Sequence, residues 1–278
     1  MTILITGASG LLAPYLVRTA GNYGDVVTTS RTQGDVLCDL TDLDQTRLML
    51  KKVRPDWLIH AAAMTNVDAC ESDSALAQQV NAVAVQNIVS HMEPDTCLAY
   101  LSTDQVYPDI PGPHQEGTEN PVNVYGQTKL EGERNALRHK NCLVFRANLF
   151  GHSMTEGRSS LDDFIVNGLR EGKSITIFKD VLFSPLHMST LVSIIYECME
   201  RGLHGIFNTG SRSGMSKAEF AFAVADHLNL DTKTATVGES ASQAGRAPRA
   251  LDLRMAVTKL ETALGRAMPT LMQEIKKL

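Results

Sequence analysis

Short apolar runs alternate with helical patterns through the first half of the chain. Runs such as Thr2–Thr6 and Asp56–Ala61 lack a polar face, which is typical of strands buried in a parallel sheet. The segments between them repeat apolar residues at the spacing of one helix face. We predict strands at Thr2–Thr6, Asp25–Ser30, Val36–Cys38, Asp56–Ala61, Thr96–Leu101 and Cys142–Arg146, and helices at Leu11–Ala20, Asp42–Val53, Ser74–His91 and Val122–His139.

The pattern is less regular after Gly151. Ser216, with Glu219 three residues later, forms a capping-box pattern that predicts a helix start. We predict an α/β fold with a doubly wound parallel sheet in residues 1–151, and a small α/β substrate lobe in 152–278 with some segments returning to the core. The second half has predicted helices at Leu161–Arg170, Met188–Arg201 and Lys217–Leu228, strands at Ser174–Phe178 and Gly205–Asn208, and a loop at Val237–Ala250.

Composition narrows the classes of partner. The 278 residues are 43% hydrophobic and 21% charged, as in ordinary soluble proteins. The net charge of −5, without a long basic run, argues against nucleic-acid binding. The chain shows neither a signal peptide nor a membrane-length apolar run. Its five scattered cysteines have no CxxC spacing, which argues against disulfides and zinc. We therefore expect a cytoplasmic protein with no bound metal and no membrane partner.

A glycine-rich turn follows the first predicted strand. Gly7 allows a tight turn, Gly10 lets the backbone approach a pyrophosphate, and the small Ala13 allows close packing of helix on strand. The N–H groups at the start of the next helix can bind an anion. Because this motif opens the first strand–helix–strand unit of the chain, we predict a dinucleotide site.

The second strand ends in Ser30–Arg31, where an NAD site usually has an acidic residue. An arginine suits the 2′-phosphate of NADPH instead, so we expect NADPH, with NADH as the alternative. Asp39–Leu40 either borders the adenine or, through Asp39, caps a turn. The predicted cofactor residues are Gly7, Ser9, Gly10, Leu11, Leu12, Ser30, Arg31, Asp39, Leu40, Ala61, Ala62 and Ala63, together with Tyr125 and Lys129 from a later helix.

The predicted catalytic residues are Thr103, which follows a buried strand, and Tyr125 and Lys129, which lie four residues apart on one helix face. A cation beside a phenol stabilises the phenolate and lowers the pKa of the tyrosine. Tyr125 then donates a proton to a carbonyl oxygen as hydride arrives, and Thr103 hydrogen-bonds the same oxygen. We expect His60, which ends the fourth strand, to be a packed histidine rather than a catalyst.

These segments resemble the extended short-chain dehydrogenases/reductases, and within them the dTDP-4-dehydrorhamnose reductase family. That resemblance implies a Rossmann-type domain, a catalytic centre of Thr103, Tyr125 and Lys129, and NAD(P)H reduction of a 4-keto-6-deoxysugar nucleotide. A homodimer is compatible with it. The motifs that carry it are "TGASGLLA", "RPDWLIHAAAMTNVDACES", "LSTDQVY", "NPVNVYGQTKLEGER" and "FRANLFG", with later support from "FSPLHMSTLV" and "RALDLRMAVTKLETALG".

The substrate side departs from that family. Gln105 stands where an aromatic residue is usual, Leu149 where a tryptophan is common, and Arg249–Leu253 replaces an RPxNS pattern. Arg249 itself falls on a substrate-binding arginine of the family. Asp104 either binds sugar hydroxyls or caps its loop. The predicted substrate residues are Thr103, Asp104, Gln105, Asn148 and Arg249.

Gln105 also separates two reaction types. The related sugar-nucleotide 4,6-dehydratases have Thr–Asp–Glu at positions 103–105, because loss of water needs an acid and a base. A glutamine cannot abstract a proton near neutral pH. The sequence therefore favours reduction over dehydration.

Two alternatives stay open. One is a related reductase or epimerase that acts on another nucleotide sugar or on a different ketone. The other is a regulatory subunit that holds NADP(H) without turnover, as in methionine adenosyltransferase, whose regulatory subunit resembles the same reductases.

Overall fold

The computed structural model of the chain describes residues 1–240 and 245–278. The strands are β1 (Thr2–Thr6), β2 (Asp25–Ser30), β3 (Val36–Leu37), β4 (Trp57–His60), β5 (Cys97–Thr103), β6 (Cys142–Ala147), β7 (Leu149–Phe150), β8 (Ile175–Phe178), β9 (Leu182–Phe183), β10 (Leu186–His187), β11 (Gly205–Thr209), β12 (Met215–Ser216), β13 (Ala235–Gly238) and β14 (Asp252–Leu253). The helices are α1 (Ala13–Ala20), α2 (Leu43–Val53), α3 (Val67–Ser72), α4 (Ser74–Gln78), α5 (Ala84–Val89), α6 (Val124–Ala136), α7 (Leu161–Arg170), α8 (Met188–Glu200), α9 (Lys217–His227), α10 (Thr258–Leu264) and α11 (Leu271–Ile275).

The central sheet has seven strands in the order β11-β6-β5-β4-β1-β2-β3. Every neighbouring pair in it is parallel. Strand order reverses at β1, which pairs with β2 on one side and β4 on the other. A ligand crevice forms beyond the carboxyl ends of the strands at such a reversal. The predicted α/β fold with a doubly wound parallel sheet of the Rossmann type is confirmed.

The alternation of side chains along β1 explains why this strand is apolar throughout. Ile3 and Ile5 pack on one face of the sheet with residues of α1 and α8, whereas Leu4 packs on the other face with residues of α2 and α5. Both faces are therefore covered by helices, and no polar position is needed in the strand.

A second core lies in the carboxyl-terminal half. It joins apolar residues of α7, β8, β9, α9 and α11, among them Phe183 and Phe220, and it also includes Phe150 from the first half. By contrast, two other elements of the second half belong to the central sheet and its core. Strand β11 is an edge strand of that sheet, and residues of α8 pack in the core that contains Ile3 and Ile5. The second half of the chain therefore both builds a separate lobe and returns to the main sheet.

Several local features differ from the sequence prediction, among them the two unpredicted helices α10 and α11. The predicted helix Ser74–His91 is divided by a π-helical turn at Gln79–Val83, between α4 and α5. Helix α3, capped by Asn66, was not predicted. Part of the predicted loop Val237–Ala250 is strand, because β13 pairs with β8; residues 241–244 of that loop lie outside the described residues.

A buried ionic network ties α6 to the sheet. Arg146 on β6 is 1% exposed, and its guanidinium donates to both carboxylate oxygens of Glu133 on α6, at 3.0 and 2.6 Å. Glu133 also accepts from the Ser102 hydroxyl at the end of β5. Arg146 donates further to Glu119 and to the Tyr107 hydroxyl. The network connects α6 to the strand end that precedes Thr103.

We predict that Arg146→Met lowers the free energy of unfolding by about 3–5 kcal/mol, because it leaves the Glu133 carboxylate buried without its partner. Urea unfolding measures the change. Arg47→Met is the matched control: its ion pair with Asp44 is exposed, and we expect a change within about 1 kcal/mol. Equal unfolding midpoints for the two variants would contradict the role given to the network.

Candidate active site

A cleft of about 530 Å³ opens between the carboxyl ends of the central sheet and the second lobe. One wall comes from the glycine-rich turn, the ends of β4 and β5, and α6, while the opposite wall comes from the second half of the chain. Predicted site residues that line the cleft are Gly7, Gly10, Leu11, Leu12, Ala61, Ala63, Thr103, Asp104, Gln105, Tyr125, Lys129, Asn148 and Arg249.

The glycine-rich turn has the geometry of a phosphate cradle. Gly7 has a φ of +80°, and a Cβ at this position would lie 2.8 Å from the Ala62 nitrogen. Helix α1 begins after Leu12 with no side-chain cap on its N–H groups. Since uncapped N–H groups at a helix start attract anions, this turn fits the pyrophosphate of a dinucleotide.

The end of β4 is held against β1 by one hydroxyl. Thr6 Oγ1 accepts from the N–H groups of Ala61 and Ala62, both at 3.2 Å, and it shares a hydrogen bond of 2.9 Å with His60 Nδ1. Burial lowers the pKa of His60 to about 3, so the ring is neutral. His60 is thus the packed histidine expected from the sequence.

Six of the predicted cofactor residues are not among those that line the cleft: Ser9, Ser30, Arg31, Asp39, Leu40 and Ala62. Arg31 is exposed just after β2, and Ser30 stabilises the same turn by donating to the Gln33 carbonyl at 2.8 Å. Asp39 accepts from the N–H and the hydroxyl of Thr41 and so caps a turn, which is one of the two roles that the sequence left open for it. Leu40 is buried in the core.

Tyr125 and Lys129 project from α6 toward the ends of the strands. Helix α6 begins after Asn123, whose side chain accepts from the Gly126 N–H at 2.8 Å. A Cβ at Gly126 would collide with the carbonyl oxygen of Gln105. Glycine next to Tyr125 therefore lets the helix approach the turn that follows β5.

Burial sets the charge of both side chains on α6. The Lys129 ammonium donates to the Leu101 carbonyl at 2.6 Å, and burial lowers the pKa of Lys129 to about 7. Burial raises the pKa of Tyr125, against the effect of a hydrogen bond with Thr103. The expectation that Lys129 lowers the pKa of Tyr125 is therefore not met: burial raises that pKa, and the opposing contribution comes from Thr103 rather than from Lys129. A raised pKa keeps the phenol protonated, as a proton donor requires.

Asp104 lies behind Thr103 and is 1% exposed. Its Oδ1 accepts from the Thr103 hydroxyl at 3.2 Å, and its Oδ2 accepts from Asn148 Nδ2 at 2.7 Å. The cap of the turn after β5 is Thr103, whose oxygen accepts from the Gln105 N–H. The capping role that the sequence left open for Asp104 is therefore performed by Thr103.

Arg249 lines the cleft but has a partner that the sequence did not indicate. Its guanidinium donates to both oxygens of Asp68 on α3, at 3.0 and 2.8 Å. Asp68 also accepts from the Ala247 N–H, and these bonds lower the pKa of its carboxyl to about 2. Asn123 donates to the Pro248 carbonyl at 2.9 Å. The segment 247–249, whose Arg249 lines the cleft, is therefore bonded to α3 and to the residue that caps α6.

The second half of the chain contributes side chains that the sequence analysis missed. Their positions follow from the packing of the second lobe, and no motif marks them. The capping box at Ser216 and Glu219, which is confirmed, was the one signal near Lys217. The missed residues that line the cleft include Arg158, Ser159, Phe178, Val181, Lys217 and Arg246.

Among residues 1–240 and 245–278, no group of three or more His, Cys, Asp or Glu side chains has the arrangement of a metal site. In the same residues, no helix is both long enough and apolar enough to cross a membrane.

Comparison with known proteins identifies the family. The family model described as "RmlD substrate binding domain" matches residues 1–278. The chain belongs to this family. The resemblance to the dTDP-4-dehydrorhamnose reductases within the extended short-chain dehydrogenases/reductases is thereby confirmed.

Solved structures and a curated relative agree with this assignment. A hypothetical dTDP-4-dehydrorhamnose reductase from Sulfolobus tokodaii is 32% identical, covers 99% of both chains and has a TM-score of 0.87. The dTDP-4-dehydrorhamnose reductase from Bacillus anthracis, solved in complex with NADP, is 22% identical with a TM-score of 0.91 over 99% of this chain and 97% of that one, and it shows the shared fold. The methionine adenosyltransferase 2 subunit beta of Danio rerio is 28% identical over 82% of this chain and 74% of its own.

We predict that the free protein gains stability relative to Lys129→Met as the pH rises from about 7 to about 9. The folded pKa of Lys129, about 7, lies below its ordinary value of 10.5, so the unfolded chain binds the additional proton in this range. Stability then rises with pH by up to about 1.4 kcal/mol per unit. Urea unfolding at the two pH values measures it.

Lys173→Met is the control for this comparison, because the ammonium of Lys173 is exposed in its pair with Glu171. We expect no such pH-dependent difference for it. An equal difference between the wild type and Lys129→Met at both pH values would show that the ammonium is not destabilised by burial.

Proposed function

We propose that this RmlD-family protein is an NADPH-dependent reductase of a 4-keto-6-deoxysugar nucleotide. The observation that carries the proposal is the convergence of Thr103, Tyr125 and Lys129 with the glycine-rich turn in one cleft. The family membership and the relatives described above support it. The reacting centre and the nucleotide turn come from segments far apart in the chain, so their meeting is a property of the fold.

Different residues of the chain would bind the cofactor and transfer the proton in carbonyl reduction. Reduced NADPH supplies the hydride. The start of α1 and Gly7 hold its pyrophosphate, and Ala61 and Ala63 line the path across the strand ends. Tyr125, protonated at neutral pH, gives its proton to the carbonyl oxygen. Lys129, whose ammonium now bonds the Leu101 carbonyl, binds the nicotinamide ribose and stabilises the phenolate that remains.

The environment of Gln105 supports reduction rather than dehydration. Its Oε1 accepts from Asn123 at 3.3 Å, and Gln105 has no basic form near neutrality. Asp104 has both carboxylate oxygens occupied by donors. The turn after β5 therefore offers no acid–base pair, and the one proton donor that ketone reduction needs, Tyr125, lies on α6.

The proposal places the reaction in the cytoplasm, on a nucleotide-linked sugar. The cysteines Cys38, Cys70, Cys97, Cys142 and Cys198 are free thiols, which suits a reducing compartment. Cationic side chains of Arg158, Lys217 and Arg249 line the substrate end of the cleft and suit an anionic substrate such as a nucleoside diphosphate.

A second candidate is a regulatory subunit that binds NADP(H) without turnover. The match to the methionine adenosyltransferase beta subunit favours it. Against it, a protein that only holds the dinucleotide does not need a buried, protonated tyrosine beside Thr103. Screening NADPH oxidation with a panel of nucleotide-linked 4-ketosugars, while identifying co-purifying proteins, separates the two: turnover supports the enzyme, and no turnover with a stoichiometric partner supports the subunit.

We predict that Tyr125→Phe lowers turnover of the accepted ketosugar by at least about 100-fold, because the proton donor is lost. Steady-state NADPH oxidation measures turnover, and fluorescence titration with NADPH should give nearly unchanged affinity. Tyr23→Phe is the matched control, since Tyr23 stacks on Tyr196 away from the cleft. Full activity of Tyr125→Phe would remove this phenol from the mechanism.

We predict that Arg31→Ala weakens NADPH binding far more than NADH binding, because only NADPH carries the 2′-phosphate that a guanidinium would bind. Titration of both cofactors into both proteins gives the four dissociation constants. Arg47→Ala, at another exposed arginine, should change neither. If the preference for NADPH over NADH is the same before and after the Arg31 substitution, the phosphate is bound elsewhere.

A further inference from the structure

The side chain of Asn123 is held by two backbone groups of fixed polarity. Asn123 is 1% exposed. Its Oδ1 accepts from the Gly126 N–H at 2.8 Å, and its Nδ2 donates to the Pro248 carbonyl at 2.9 Å. A backbone N–H can only donate and a backbone carbonyl can only accept. The orientation of the Asn123 amide is therefore determined, because turning it over would face donor with donor and acceptor with acceptor.

This fixed amide determines the orientation of the Gln105 side chain as well. An amide nitrogen has two protons to donate, and the second proton of Asn123 Nδ2 goes to Gln105 Oε1 at 3.3 Å. In the reverse orientation the Gln105 nitrogen would face the Asn123 nitrogen, and two donors beside a buried side chain would lack an acceptor, which is unfavourable. The Gln105 amide therefore has its oxygen toward Asn123 and its nitrogen away from it.

The nitrogen of Gln105 is left as a donor in the cleft. Gln105 lines the cleft together with Asp104, and its Nε2 lies 3.5 Å from Asp104 Oδ1, which is long for a hydrogen bond. Within residues 1–240 and 245–278, this carboxylate is the one protein acceptor of Nε2. At least one of the two protons on Nε2 is therefore available to a substrate that offers an oxygen as acceptor.

We propose that Asn123 is a positioning residue that determines substrate specificity: it orients the Gln105 amide so that an N–H donor, rather than a carbonyl, faces the bound substrate. The inference rests on the proposed reductase function and deepens it, because it assigns a carbonyl or hydroxyl oxygen of the sugar nucleotide to Gln105 Nε2. Gln105 stands where the family usually has an aromatic residue, so this selection belongs to the chain's own departure from the family pattern.

The same asparagine makes the second lobe part of this arrangement. Pro248 precedes Arg249, which bonds Asp68 on α3. One amide thus joins the segment 247–249, the turn after β5 and the start of α6, where Tyr125 lies two residues further along the chain. The N–H donor that selects the substrate and the helix that carries the phenol are therefore held by one side chain.

The kinetic test is a double-mutant cycle of Asn123→Ser and Gln105→Met. Serine is also a good helix cap, so Asn123→Ser keeps the start of α6, but its short side chain reaches neither Gln105 nor Pro248. Each single variant should raise KM for the accepted ketosugar nucleotide about three- to tenfold, as expected for loss of one hydrogen bond, while kcat changes less. The double variant should have the same KM as Gln105→Met alone.

The cycle separates orientation of Gln105 from a merely structural role. If Asn123 only capped α6 or held the segment 247–249, its substitution would raise KM further in the Gln105→Met background, and such additivity would overturn the inference. An equal increase in KM for NADPH and for the sugar nucleotide would overturn it too. Gln127→Met is the matched control, because Gln127 is exposed on α6, and it should change neither KM.

Neutron diffraction from deuterated crystals needs no turnover and therefore separates the inference from the proposed function. Amide nitrogen and oxygen are nearly indistinguishable to X-rays, whereas neutrons distinguish them and locate the deuterons. The wild type should show the Gln105 nitrogen, with its two deuterons, on the side away from Asn123. In Asn123→Asp, which keeps the cap but removes the amide donor, the Gln105 amide should turn over and donate to the carboxylate.

The outcomes of the two tests differ in meaning. A wild-type protein that reduces none of the ketosugars contradicts the proposed function, and the neutron structures still decide whether Asn123 sets the polarity of Gln105. A wild-type Gln105 with its nitrogen toward Asn123, or a Gln105 amide that keeps its orientation in Asn123→Asp, overturns the inference even in an active reductase.

Discussion

The parallel pairing of β1, β4 and β5 is the constraint on which the site depends. Parallel strands present their carboxyl ends at one edge of the sheet, so the turns after these three strands must meet there. Each of the three turns carries part of the cleft: Gly7 after β1, Ala61 after β4 and Asp104 after β5. Helix α6 brings Tyr125 and Lys129 to the same edge, and the Arg146–Glu133 pair ties that helix to β6.

Burial determines the chemistry of this edge more than any single pair of charges. It keeps the Tyr125 phenol protonated, brings the pKa of Lys129 down to about 7 and makes His60 a neutral packing residue. Sequence spacing alone predicted a lowered pKa for Tyr125, because the spacing revealed the nearby Lys129 but not the burial of the phenol. A buried proton donor in its acid form suits reduction of a carbonyl group.

The two halves of the chain meet in hydrogen bonds as well as in packing. Arg249 bonds Asp68, and Asn123 bonds the Pro248 carbonyl, so segment 247–249 is bonded to α3 and to the start of α6. Lys217 on α9 and Asp104 after β5 line the same cleft. The substrate end is thus assembled from side chains that are more than a hundred residues apart in the sequence.

The sequence by itself determined most elements of the first half, the glycine-rich turn and the Thr103, Tyr125 and Lys129 motifs. These signals are local: a strand buried on both faces, a helix face, a cap or a turn can each be recognised within a few residues. Strand β1 matches its prediction, as does the capping box at Ser216. The fold class followed from the alternation of such elements.

Only the tertiary structure decided the partners of the polar side chains. The pairing of Arg249 with Asp68 and the burial of Arg146 with Glu133 join segments that share no local pattern, and Lys217 lines the same cleft as Asp104. Asp39, whose two readings the sequence left open, caps a turn because Thr41 is close enough to donate to it. Hydrogen-bond partners and desolvation depend on distances between remote segments, which a periodic pattern along one chain does not contain.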